Sequence, residues 1–136
     1  MGVEQLQLLN KPEELIRLKE WLNRICDSHE ISDKTRFSLE LVLEEAVTNV
    51  FDYAFDKTEE HQFSLELNLS ESDISVILQD NGIAFNPLQQ QEPVQANSIE
   101  DAKIGGMGIH LIKSYTKLVD YFRKEGTNNL LMVLDR

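Results

Sequence analysis

The stretch Gly105-Gly106-Met107-Gly108-Ile109-His110-Leu111-Ile112 decides how this chain is read. Glycines crowd its start, and an apolar-periodic run (Leu111, Ile112, Tyr115) follows at once. The spacing predicts a helix over about 107–117 that emerges from a glycine turn. Glycine reaches backbone angles closed to other residues, and the free N–H groups at a helix start make an anion site. The stretch therefore reads as a phosphate cradle. It is not a P-loop, because no Gly-Lys-Ser/Thr follows, and not a dinucleotide fingerprint, which would open after a strand. His110 has no second histidine near it in sequence and reads as a structural or surface residue rather than a catalytic one.

Working outward toward the N-terminus, residues 86–103 are rich in Gln, Pro, Asn and Ser and show little periodicity. A loop this long inside a compact domain is usually functional or disordered. Before it stands Asp80-Asn81-Gly82-Ile83-Ala84-Phe85-Asn86-Pro87. An Asp at a strand end can accept a hydrogen bond from an amino group such as the one adenine carries, and Gly82 lets backbone approach a flat base closely. The same residues also make a plain Asp-Asn-Gly turn. Further upstream, Glu45-Ala46-Val47-Thr48-Asn49 places a carboxylate and an amide four apart on a helix, one turn above the other. That pair suits a water or hydroxyl beside a hard cation such as Mg²⁺, although any polar helix face has the same spacing. Asn49 sits among Val47, Val50 and Phe51 and has mediocre helix propensity. Partly buried, its amide requires a partner, either a ligand or a backbone group. Each motif is weak alone; in this order they supply every contact an ATP needs.

The rest of the chain reads as β-α-α-β-β-loop-α-β-β. An opening strand covers about 3–9. A helix follows from Pro12 to about His29 with Leu15, Leu18, Leu22 and Ile25 at helical spacing, and a second, capped by Ser32 or Asp33, carries Phe37, Leu41, Ala46 and Val50 to about Tyr53. Phe63 to Leu69 and Ile74 to Leu78 form a hairpin, and strands near 118–124 and 129–134 meet around Gly126. The pattern is an α+β layout over one domain, 1–136, with helices on one face of a mostly antiparallel sheet. Hydrophobic residues at 41% and charged residues at 27% are ordinary for a folded domain. The net charge of −11 argues against nucleic acid and anionic membrane as partners. A basic protein partner would suit that field, although acidic surfaces commonly serve solubility alone. Cys26 is the single cysteine, which leaves no intrachain disulfide or cysteine-based metal cage. No apolar run approaches the roughly 20 residues of a membrane span. The start Met1-Gly2-Val3-Glu4 is no signal peptide, and Leu6 stands where myristoylation wants Ser or Thr. A cytoplasmic address is expected.

Together these motifs resemble the GHKL (Bergerat-fold) superfamily of ATPases and kinases, and within it the stand-alone anti-sigma-factor serine/threonine kinases of bacteria. Glu45-Ala46-Val47-Thr48-Asn49 resembles the N box, Asp80-x-Gly82-x-x-Phe85-Asn86-Pro87 the G1 box, and Gly106-Met107-Gly108 the G2 box. The resemblance runs from about residue 12 to the end. It implies a two-layer α/β sandwich with a mostly antiparallel mixed sheet, ATP and Mg²⁺ as cofactors, and a lid at about 86–103. It assigns Asn49 to Mg²⁺ and the phosphates, Asp80 to the adenine amino group, Gly82 to a place under the base, and the backbone of Gly106, Met107 and Gly108 to the phosphates. Tyr53, Phe85, Lys103 and Ile109 complete the expected nucleotide site. Glu45 becomes the general base toward a serine or threonine hydroxyl on a partner protein. The implied partners are an anti-sigma-factor antagonist, a sigma factor, and a second copy of the chain through the sheet and first helix.

The chain departs from the family at three points. Tyr53 stands where histidine is common, Ala84 where glycine is frequent, and Ile104 where some kinase members carry arginine; the adjacent Lys103 is a point charge rather than a fork. The phosphoacceptor helix bundle of histidine kinases is not matched. The alternative reading is an ATP-gated protein-binding module of a partner-switching pathway, without kinase activity, in which the ordered lid selects the partner.

Overall fold

Alternation of apolar and polar residues builds the sheet, and helical spacing of leucines and valines covers it. The computed structural model describes residues 2–55, 59–89 and 107–136, with Met107 as backbone only. In chain order the elements are β1 (Gly2–Leu9), α1 (Glu14–Ser28), α2 (Asp33–Asn49) running on into a π-helical turn (Val50–Ala54), β2 (Gln62–Leu69) and β3 (Asp73–Asp80). A 3-10 turn (Pro87–Gln89), α3 (Met107–Tyr115), β4 (Leu118–Lys124) and β5 (Thr127–Asp135) follow.

The strands form one sheet in the order β1-β2-β3-β5-β4. Every neighbouring pair is antiparallel, so the expected mixed sheet is corrected to a wholly antiparallel one. The connections explain it. Two helices between β1 and β2 carry the chain out and back, so β2 runs against β1. One helix, α3, separates β3 from β4, which would make those two parallel, but β5 is inserted between them. The turn at Glu125 and Gly126, both at positive φ, closes the β4–β5 hairpin and is the type that right-handed strand twist favours.

Phe63, Leu65 and Leu67 on β2, Ile74 and Val76 on β3, and Met132 on β5 are buried on one face of the sheet. Against them pack Leu18, Leu22 and Ile25 of α1, Leu43 and Val47 of α2, and Ile112 of α3. Fully burying each such side chain stabilises by about 1.5–3 kcal/mol. The helix extents match the sequence pattern, but two details do not. Pro12 lies in the turn before α1 rather than inside it. Phe37 is 58% exposed, because α2 turns the stripe through Leu39, Val42, Leu43 and Ala46 to the sheet. Phe37 lies two residues, about 200°, from Leu39 and so faces away, with its ring edge-on to Tyr115.

Both helices are anchored locally. Ser32 caps α2, its hydroxyl accepting from the Thr35 N–H at 3.3 Å. Glu14, nearly buried at the head of α1, accepts from the Leu9 N–H and the Arg17 guanidinium, both at 2.9 Å. Burial pushes its carboxyl up, but these donors outweigh burial and hold it below the usual carboxylate range. Among the described residues no helix is long and apolar enough to cross a membrane.

Candidate functional site

The site forms where the C-terminal half of α2 lies between the start of α3 and the ends of β3 and β5. Glu45 and Asn49 project from one side of α2, as their spacing requires. Gly108 stands in the first turn of α3 opposite them. A Cβ added there would lie 2.8 Å from Glu45 Oε2 and 3.8 Å from Asn49 Oδ1. Two motifs distant in sequence are thus brought together, and the glycine is what lets the carboxylate approach the helix start.

Asn49 carries the clearest mark of an unfilled role. Its Nδ2 is buried and has no hydrogen-bond partner among the described residues. A buried donor left unpaired costs about 1–3 kcal/mol. Among the described residues no backbone group takes that role, which leaves the position open to a ligand oxygen. Glu45 is half-buried with no cation bonded to it among the described residues, and burial, followed by the neighbouring Glu44, raises its pKa.

Asp80 ends β3 with 7% of its surface exposed. Its Oδ1 accepts from the Gly82 N–H and from Asn128 Nδ2, each at 2.9 Å. Burial raises its pKa, against the opposing pull of Asn128, Gly82 and Arg123. Gly82 has a reason to be glycine that the sequence did not show. A Cβ there would meet the Ala54 carbonyl oxygen at 2.1 Å, and Ile83 donates to that same oxygen at 3.0 Å. The turn after β3 is therefore pressed onto the end of the π-helical turn. Tyr53, one turn beyond Asn49, stacks on Phe85 with ring centroids 4.9 Å apart and planes 18° from parallel.

Asn49, Asp80, Phe85, Pro87, Tyr121 and Asn128 line a cavity of about 30 Å³. That is room for a water or two and not for a whole purine. Ile109 is 1% exposed and belongs to the core, which leaves only its backbone to serve a ligand. Its neighbour His110 is exposed on α3, as expected of a surface residue. Lys103, Ile104, Gly105 and Gly106, and the lid beyond residue 89, lie outside the described residues.

Sequence reasoning missed Asn128 and Tyr121. A signal existed for the first: Asn128 and Asn129 open an otherwise apolar strand, and both are buried, at 4% and 3% exposure.

Among the described residues no three His, Cys, Asp or Glu side chains cluster as a metal site. A hard cation here would be held by Asn49 Oδ1 together with phosphate and water oxygens, a set that suits Mg²⁺. The paired features fit a nucleotide: an orphaned donor and a glycine cradle at one end, a buried acceptor at the other.

The sequence profile of the histidine kinase-like ATPase domain matches residues 8–134. The serine/threonine-protein kinase BtrW of Bordetella bronchiseptica is 32% identical over 112 residues, covering 82% of this chain and 79% of that protein. The serine-protein kinase RsbW of Listeria innocua is 28% identical over 127 residues, covering 90% of this chain and 81% of that protein. RsbW of Listeria monocytogenes matches at the same identity over the same length. With this site on this sheet, and a match over nearly its whole length, the chain belongs to the histidine kinase-like ATPase domain family, alongside serine/threonine-protein kinases.

Proposed function

We propose that this chain is an anti-sigma regulatory kinase, which transfers the γ-phosphoryl group of ATP to a serine or threonine of an anti-sigma-factor antagonist and also sequesters a sigma factor. The observation that carries the reading is the meeting of Glu45, Asn49 and Gly108, with Asn49 Nδ2 buried and unpaired among the described residues. ATP with Mg²⁺ supplies the phosphoryl group and neutralises its charge. The chain's own residues hold and orient. Asp80 takes the adenine amino group and Asn49 donates to a phosphate oxygen while its Oδ1 faces the cation. The first turn of α3, with Met107 and Gly108 in it and Gly106 directly before it in sequence, holds the phosphates by its free N–H groups. Lys103 adds a positive charge near the γ-phosphate, and the lid at about 86–103 closes over the nucleotide.

Glu45 receives the proton of the partner's hydroxyl as that oxygen bonds to the γ-phosphorus and the bond to the bridging oxygen of ADP breaks. Its raised pKa, set by burial first, strengthens it as a base near neutrality. The acidic surface and the lack of a described membrane-spanning helix support a cytoplasmic protein that engages proteins rather than nucleic acid. A homodimer is supported by the sheet face turned away from the helices, where Ile77, Leu131, Val133, Leu118 and Phe122 lie together by register.

The test is transfer from radiolabelled ATP to a purified antagonist carrying a serine or threonine, comparing the native chain with Glu45→Gln. The kinase reading expects label on the antagonist and its loss in the variant, with ATP still bound. Equal labelling by both would remove Glu45 from the base role, and none by either would favour the ATP-gated binding module.

A further inference from the structure

We infer that Asn128 is a specificity-determining residue for the nucleotide base: it locks one oxygen of Asp80 and so presents the other to the ligand. This rests on the reading of Asp80 as the base contact. The orientation of the Asn128 amide is fixed by its neighbours. One end meets groups that can only donate, the Arg123 guanidinium at 3.0 Å and the Phe85 N–H at 3.4 Å, together with the Tyr121 hydroxyl at 2.5 Å. The other end meets acceptors, Asp80 Oδ1 at 2.9 Å and the Ile83 carbonyl at 2.7 Å. Only Oδ1 toward the donors and Nδ2 toward the acceptors satisfies this set. Both amide hydrogens are used, and at 4% exposure no water competes for them.

For Asp80 the consequence is directional. Its Oδ1 already accepts two bonds, from Gly82 and Asn128, and is spent. Its Oδ2 has no bond among the described residues, and the carboxylate borders the cavity that the purine would enter. Asn128 donates to the ionised form and so opposes the effect of burial on Asp80. An ionised Oδ2 accepts and cannot donate. It therefore suits a purine with an amino group at the six position and rejects one with a carbonyl there, which would set acceptor against acceptor. Without Asn128, Asp80 is free to turn or to take up a proton, and a protonated carboxyl can donate to that carbonyl. Arg123 also bonds the Gly82 carbonyl at 3.0 Å, so the amide is itself braced by the edge strand β4.

The experiment is calorimetric titration of the full chain with ATP and, separately, inosine triphosphate, each with Mg²⁺, for the native chain, Asn128→Ala and Asn128→Ser. The native chain is expected to prefer ATP by about 100-fold, the worth of one hydrogen bond to a charged acceptor that inosine triphosphate cannot make at that position. Asn128→Ala should bring the two affinities to within about threefold, and Asn128→Ser, whose hydroxyl can still donate to Asp80, should restore part of the preference. The ratio of two affinities is insensitive to an unfolded fraction, so poor folding of one variant does not mimic the result. A purely structural role would weaken both nucleotides equally; an unchanged ratio in Asn128→Ala therefore overturns the inference. A native chain that binds both alike, or neither, overturns the base-reading role of Asp80 and this inference with it.

Discussion

At the scale of single residues, two glycines separate fold from function. Gly82 and Gly108 would both place a new Cβ closer than 3.0 Å to a neighbour, but the neighbours differ. At Gly82 it is the Ala54 carbonyl, which is held by Ile83 and cannot retreat. Gly82→Ala should cost about 1–3 kcal/mol as overpacking does, read as a lowered midpoint in denaturant. At Gly108 it is the end of the Glu45 side chain, which can swing away. Gly108→Ala should leave stability unchanged or raise it by up to about 1 kcal/mol, since alanine narrows the unfolded chain's freedom and fits the helical backbone there. Phosphoryl transfer should nevertheless fall about 100-fold, because a carboxylate displaced by about an ångström is a misplaced base. Glu45 adds a pH argument. Its pKa is raised by burial and then by Glu44, so its contribution to stability is present while it is protonated and is lost as pH rises through the folded value. Glu45→Gln should therefore melt at or above the native temperature at neutral pH, with the gap closing under acid conditions, while transfer is lost. Glu14 has the opposite sign: held low by Leu9 and Arg17, it stabilises above the ordinary carboxylate range and is lost in acid. The placement of Glu45 and Asn49 on one side of α2 and of Asp80 at the end of β3 was legible from spacing, but only the order of the three motifs set them apart from a polar helix face and a plain turn. Asn128 was not legible, since a strand register must be known before an amide can be seen to face an aspartate.

At the scale of elements, α2 is both scaffold and site. Its buried stripe fixes its rotation on the sheet, and that rotation aims Glu45 and Asn49 at α3. Ser32→Ala at the far end of α2 should lower stability by about 1 kcal/mol in chemical denaturation and leave ATP affinity unchanged, as the loss of a cap remote from the site. The helix leaves α-geometry immediately after Asn49, and such turns often mark functional positions. Sequence periodicity placed the end of this helix within a residue or two but had no means of showing the π-helical turn. A widened turn depends on the partner it accommodates, here the chain after β3 pressing on Ala54. Phe37 was misread for a related reason: α2 carries apolar residues on more than one side, and only the sheet decides which side is buried.

At the scale of the molecule, one face of the sheet is covered by helices and the other by none of the described elements. Leu118 and Phe122 remain 48% and 42% exposed on that open side. The homodimer reading predicts that Leu131→Lys, placed between Ile77 and Asp120 by register, converts a dimer to a monomer in sedimentation while the thermal transition persists. A native chain that sediments as a monomer contradicts it. The strand order was legible only in part: hairpins followed from short turns, whereas the insertion of β5 between β3 and β4 is a long-range choice that no local pattern encodes. The proposed nucleotide site spans this whole assembly, from the end of β3 to the start of α3. Its most direct test is calorimetric titration of the chain with ATP and Mg²⁺, repeated on Asp80→Asn. The account predicts one ATP per native chain and an affinity about 10- to 100-fold weaker in the variant, the loss expected for a hydrogen bond to a charged acceptor. Absence of binding by the native chain, or equal binding by both proteins, would contradict it.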